Sequence, residues 1–241
     1  VVRPRSFCPG CERTIAWYDN IPVVSFLMLR GRCRHCGFRI PKRYPAVEVL
    51  TAAFFFVVVS RWGLSGEALR LCLFSALLIG LVFSDLEERI LPDEFTLGGL
   101  AAGLLLAWFV PLSGIVTILL PRDLGWSAAS VAESAAGAAL GSGLLWLVGE
   151  VYFRIRGREG MGLGDVKMMA MVGAFLGLQG TLATLVVGSL AGSILGLLYV
   201  WLAGKDHQTY ELPYGTFLGA AALGVGIWGE EWVNWWIGIA G

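Results

Sequence analysis

The sequence predicts an all-α polytopic membrane protein, about seven transmembrane helices in this chain preceded by a small polar domain, and three observations carry that prediction. Of 241 residues, 56% are hydrophobic and only 15% are charged, where a soluble domain carries roughly 25% charged residues. The mean hydropathy is +0.71. From residue 46 onward, apolar stretches recur that approach the ~20 residues needed to cross a bilayer as a helix. A formal net charge of +0 argues against a nucleic-acid partner. With 5 cysteines and this apolar content, the chain is neither disordered nor a disulfide scaffold.

Residues 1–45 form the polar unit. Arg3, Arg5, Arg13, Arg30, Arg32, Arg34, Arg39, Lys42 and Arg43 face only Glu12 and Asp19 there, so the segment lies outside the bilayer. Transmembrane spans are expected at 46–60, 68–84, 95–112, 128–153, 166–178, 181–203 and 213–228. The fifth is the weakest, because thirteen apolar residues before Gln179-Gly180 fall short of the ~17 needed for a full crossing. It is expected to begin below the membrane surface.

Cytoplasmic loops retain Lys and Arg, which sets the orientation. With the polar unit in the cytoplasm, seven alternating spans put Arg89, Arg154, Arg156, Arg158, Lys167 and Lys205 on the same side, and only Arg61, Arg70 and Arg122 on the other. Trp62, Trp108, Trp126, Trp228, Trp232, Trp235 and Trp236 then fall near the outer boundary, where indoles sit in the interfacial belt. Gly99 with Gly103, Gly137 with Gly141, Gly173 with Gly177, and Gly188 with Gly192 and Gly196 are spaced by four. That spacing lines small residues along one helix face for close packing.

Within the polar unit, Cys8-Pro-Gly-Cys11 and Cys33-Arg-His-Cys36 are two CxxC knuckles, each able to present two thiolates to one tetrahedral ion. Gly10 and Gly37 are expected to permit the tight turns. Two disulfides or a redox dithiol are the alternative, disfavoured by a reducing cytoplasm. Four thiolates leave no open coordination position, so the expected metal is a structural zinc. His35 reads as a solvated loop residue and Cys72 as a packed apolar one.

Charge near membrane depth demands an account. Asp85 ends the second span in the run Asp85-Leu86-Glu87-Glu88-Arg89-Ile90-Leu91-Pro92-Asp93, and Asp165 precedes the fifth in Gly160-Met161-Gly162-Leu163-Gly164-Asp165-Val166-Lys167. Both fall at the cytoplasmic edge. Two carboxyls brought together there can share a proton, one acting as general base on a water and the other as general acid on the scissile amide. Helix capping or packing is the alternative for Asp85 and Asp165, and capping is favoured for Asp93. Gly162 and Gly164 suggest a backbone too tight for side chains beside Asp165, able to admit an extended substrate strand.

Taken together, CPGC, the stretch WYDNIPVVSFLMLRGRCRHC at 17–36, RYPAVE at 43–48, DLEERILPD at 85–93, GMGLGDVK at 160–167 and PYGTFLG at 213–219 resemble the bacterial prepilin peptidases. These are the type IV prepilin leader peptidases, GxGD-type aspartyl proteases of the inner membrane. The resemblance implies that Asp85 and Asp165 are a catalytic pair, with Gly162 and Gly164 as supporting backbone, in a peptidase domain over 46–241. It implies cleavage of type IV prepilins or type II secretion pseudopilins after a Gly that ends a short basic leader. It also implies N-methylation of the new N-terminus with S-adenosylmethionine, and assembly with pilus or secretion machinery.

No dinucleotide-type fingerprint places the methyl donor, and the polar unit, with Gly31 and Arg32 in its loop, is where its site is expected. Relatives of this kind usually begin with another transmembrane helix, so one is expected ahead of Val1. Thr216 stands where the family commonly has Pro, a departure expected to be tolerated.

A prepilin joins a basic cytoplasmic leader to an apolar helix, which puts its scissile bond at the depth assigned to the two Asp. Glu87, Glu88, Asp93 and Glu94 could attract the leader, though plain solvation is favoured. The rival function is a noncatalytic membrane assembly factor whose Asp residues are caps. Against a transporter stand the lack of an inverted repeat and of ionisable residues deep in most spans.

Overall fold

The computed structural model describes residues 6–158, 160–202 and 214–240. Contacts divide the chain between residues 56 and 57 into two compact units.

In the first unit the two knuckles share one backbone design. The Cys8 carbonyl accepts from Glu12 N at 2.8 Å and the Cys33 carbonyl from Gly37 N at 3.0 Å; Cys8 N donates to the Arg13 carbonyl and Cys33 N to the Phe38 carbonyl. Antiparallel bridges Phe7–Thr14 and Arg32–Arg39 close both loops. The fourth residue after each leading cysteine has positive φ, Glu12 at 55° and Gly37 at 70°. Gly37 therefore serves the turn as expected. Gly10 does not. Its φ is not positive, and a Cβ there would lie 2.8 Å from the Phe38 ring, so Gly10 makes room for packing. The short helix α1 (Val24–Met28) follows, its neighbour Val23 donating its N–H to Glu48 of α2 (Arg43–Trp62) at 2.7 Å.

Among the described residues the second unit is built from helices joined by short connections: α3 (Gly66–Glu88), α4 (Asp93–Phe109), α5 (Ile115–Leu119), α6 (Trp126–Arg156), α7 (Leu163–Leu202) and α8 (Tyr214–Ala240), with a 3-10 turn at Arg122–Leu124. Among the described residues, α2, α3, α6 and α7 are long and apolar enough to cross a membrane. Large apolar side chains stay exposed along the bundle, among them Leu105, Phe109, Trp146, Ile155 and Ile194. Such a surface suits lipid, not water.

The expected fifth and sixth spans are one helical run whose two limbs meet at Gly177, where φ is 68° and ψ is −171°, and not at Gln179-Gly180. The limbs double back. A Cβ on Gly141 of α6 would lie 2.5 Å from the Met169 carbonyl oxygen and 3.0 Å from Thr181 Cγ2, so residues twelve apart in α7 meet across Gly141. The first limb is short because it needs no lipid-facing surface: all of 168–175 is buried. Gly99 and Gly103 of α4 press on Met171 and on Ala174 with Phe175, while Gly137 of α6 packs on the Gly173 backbone. Phe74 of α3 stacks at 5.2 Å on Phe175. The glycine spacing thus marks close packing at Gly99, Gly103, Gly137, Gly141 and Gly173, but Gly177 is required by its backbone conformation. The side chains of Trp235 and Trp236, Lys205, and the expected span start at residue 213 lie outside the described residues.

Candidate functional site

Asp85 sits in the last turn of α3, which ends in a left-handed cap at Arg89 (φ 53°) whose N–H donates to the Asp85 carbonyl at 3.1 Å. Ser84 Oγ donates to the Ile90 carbonyl at 2.7 Å and ties down the following turn. The Asp85 side chain is only 7% exposed. Asp165 lies in the first turn of α7, with its N–H donating to the Gly162 carbonyl at 3.2 Å. A third element completes the group. Gly215 and Thr216, at the start of α8, lie against both carboxyls: a Cβ on Gly215 would sit 2.7 Å from Asp165 Oδ1 and 3.1 Å from Asp85 Oδ2.

The two oxygens are therefore no further apart than those distances laid end to end, within reach of one water hydrogen-bonded to both. Asp85 Oδ2 also accepts from Thr216 N and from Thr216 Oγ1, both at 2.7 Å. Residues 131 positions apart in sequence thus fix one carboxylate oxygen. Such an arrangement can hold a nucleophilic water between a base and an acid.

The supporting glycines differ. Gly164 is tight, its missing Cβ 3.1 Å from Leu91 Cβ. Gly162 is open, and a side chain there would meet only Asp165 Oδ2 and Gly164 N, each at 3.9 Å, so glycine leaves the approach to the carboxyl clear instead of relieving a clash. Asp93 does not cap α4: the cap position is Pro92, without a side-chain bond, and Asp93 pairs with Lys167 Nζ at 2.8 Å. In the sequence nothing singles out Gly215, and Thr216 stands out only as a departure. PYGTFLG was the one signal that could have found them.

In the first unit the sulfurs of Cys8, Cys11, Cys33 and Cys36 all lie within 4.8 Å of one another, with Cys8 and Cys36 at 3.7 Å. Tetrahedral zinc with Zn–S near 2.3 Å places its sulfurs about 3.8 Å apart, so the donor set fits a metal. Backbone N–H groups of Cys36 and His35 aimed at the Cys33 sulfur hold that thiol down at about 6, while lost hydration and the neighbouring sulfurs push the Cys36 thiol up to about 12, so the close-set sulfurs share the charge unevenly. Arg34, beside Cys33, forks onto Asp19 with Nη2–Oδ1 at 2.6 Å and Nε–Oδ2 at 2.8 Å. That hydrogen-bonded guanidinium keeps the Asp19 carboxyl below its usual range. The same unit carries a half-open cleft of about 670 Å³ lined by Cys8, Asp19, Phe26, Cys33, His35 and Glu48 among others. Gly31 turns the chain at φ 67° with Phe26 packed 2.9 Å from where its Cβ would be.

The bacterial peptidase A24 N-terminal domain matches residues 1–62, and the type IV leader peptidase family matches residues 72–197. Relatives extend along nearly the whole chain. A prepilin leader peptidase/N-methyltransferase of Aeromonas hydrophila is 36% identical over 234 residues, covering 97% of this chain and 75% of that protein. One of Legionella pneumophila is 35% identical over 235 residues, 98% of this chain and 76% of that protein. One of Xanthomonas campestris is 33% identical over 241 residues, 100% of this chain and 78% of that protein. No solved structure matches the chain.

Proposed function

The chain belongs to the type IV leader peptidase family, and on that premise we propose that it is a membrane aspartic endopeptidase that removes the basic leader from prepilins or pseudopilins and N-methylates the new N-terminus. The observation that carries the chemistry is the convergence of Asp85 and Asp165 on Gly215. In this reading a water held between the two carboxyls gives its proton to one of them as it attacks the scissile carbonyl. The other carboxyl then protonates the departing amine. Thr216 keeps Asp85 from rotating away from the water by occupying Oδ2 with two hydrogen bonds. The open backbone at Gly162 is where an extended segment reaches the pair.

The membrane topology in this proposal has seven crossings, the limbs of α7 counting as two, with the cysteine unit and both Asp toward the cytoplasm of a bacterial inner membrane. The basic residues support that orientation. A substrate with a cytoplasmic leader and a membrane helix then offers its junction at the depth of the pair.

Cys8, Cys11, Cys33 and Cys36 would hold one structural zinc, which takes no part in cleavage. S-adenosylmethionine supplies the methyl group when bound. The cleft beside the cysteines has the size of a site for a ligand of that class, and Asp19 and Glu48 line it. The test is the intact mass of a purified prepilin after incubation with the protein in lipid and the methyl donor. Loss of the leader together with one added methyl is expected, and an unchanged substrate beside active protein of a relative would contradict the assignment.

A further inference from the structure

Glu133 is a charged residue within α6 that the cleavage chemistry leaves unused, and it is 1% exposed. Its partners explain how a carboxyl survives there. Oε2 accepts from Val116 N at 2.8 Å and Thr117 N at 3.3 Å, in the first turn of α5, and Oε1 accepts from Leu178 N at 2.8 Å. The next residue, Ser134, donates its hydroxyl to the Ala174 carbonyl at 2.7 Å.

Leu178 N–H and the Ala174 carbonyl are the pair that an unbroken α7 would bond to each other, four residues apart. The break at Gly177 orphans both, and an orphaned backbone group in a membrane interior is costly. Two consecutive side chains of α6 take up the two orphans. Gly177 and Gly114 give way for them: a Cβ on Gly177 would lie 3.0 Å from Glu133 Cγ, and one on Gly114 would overlap the carboxyl.

We propose that Glu133 is a positioning residue for leader cleavage, clamping the tip of the α7 hairpin so that the first limb delivers Asp165 to Asp85. The proposal rests on the peptidase reading above. The limb works as a lever because its buried run 168–175 is gripped along its length, with Gly137 and Gly173 in backbone contact. Asp165 sits twelve residues from the clamp, about 18 Å of helix. A shift at the tip is therefore carried to the carboxyl. The clamp needs acceptors on both sides. An amide at this position turns an NH2 toward either Leu178 N–H or the α5 amides, so Glu133→Gln keeps the volume and loses one half of the clamp.

The experiment compares the parent, Glu133→Gln and Ser134→Ala in lipid nanodiscs, reading kcat and KM on one prepilin and hydrogen exchange of the amides over 176–181. A misplacement near 1 Å costs about 100-fold in rate. Glu133→Gln is expected to lower kcat on that scale with KM nearly unchanged and to speed exchange at Leu178. Ser134→Ala, which removes one neutral hydrogen bond, is expected to do the same to a smaller extent, and it stands in should Glu133→Gln fail to fold. An active parent with an equally active Glu133→Gln, or a rise in KM alone, overturns the clamp. A parent that leaves the prepilin intact overturns the peptidase reading itself, a result the exchange arm separates from failure of the clamp.

Discussion

Asp85 Oδ2 accepts two hydrogen bonds from a single residue, Thr216, through its backbone N–H and its hydroxyl, each at 2.7 Å. One contact ties the last turn of α3 to the first turn of α8 and orients the carboxyl that faces Asp165. A proline at this position could supply neither donor.

Removing the hydroxyl while keeping the shape should therefore slow cleavage. A hydrogen bond to a charged group contributes about 1.5–3 kcal/mol, so Thr216→Val is expected to lower kcat by about tenfold or more, and Thr216→Ser to retain it. Steady-state kinetics on one prepilin with the three proteins checks this.

Gly215 is predicted to tolerate no side chain. A methyl there would press on Asp165 Oδ1 at 2.7 Å, too close for carbon against oxygen, and crowd Asp85 Oδ2 at 3.1 Å. Gly215→Ala should abolish cleavage in a protein that still purifies as a monodisperse membrane protein, which size-exclusion chromatography and the cleavage assay together read out.

Asp93 provides the contrast. Its pair with Lys167 is exposed on both sides, 35% for the lysine and 57% for the aspartate, and exposed ion pairs are worth about 1 kcal/mol or less. Asp93→Asn is expected to leave both thermal stability and cleavage close to the parent, and a loss of activity comparable with that of Asp165→Asn would show that Asp93 has a role beyond this pair.

The cysteine cluster makes a prediction about the first unit. Metal analysis should find one zinc per chain, and chelation should unfold that unit, exposing the buried Cys8 to thiol reagents. Cys33→Ser should lower the zinc content and have the same effect on stability. A protein that is fully stable and thiol-protected without metal would contradict the structural role.

Much of this was legible from sequence because it is local. The two knuckles announce their metal geometry by spacing alone, and Asp85 and Asp165 stand out because carboxyls at membrane depth are rare. The shortness of the segment before Gln179 marked an unusual element, and the structure explains it as a central limb packed on by Phe74 of α3, Gly99 and Gly103 of α4 and Gly137 of α6. What escaped the sequence is long-range or conformational. Thr216 meets Asp85 across 131 residues, and nothing near either position encodes that meeting. Glu133 lies among the small residues of the first half of α6, and its value appears only when α7 breaks opposite it. Gly10 and Gly177 each looked like the other kind of glycine, since composition does not separate a packing glycine from one that needs positive φ.

The central claim is that Asp85 and Asp165 do the cutting, and an amide at either position tests it most directly. An isosteric amide can still fill space and cap a helix, but it cannot exchange a proton with water in the way the reaction requires. The intact mass of a purified prepilin is measured after incubation in lipid with the parent, Asp85→Asn and Asp165→Asn. Loss of the leader with the parent alone, the two variants being folded, is the predicted result. Cleavage that persists in both variants would contradict the account.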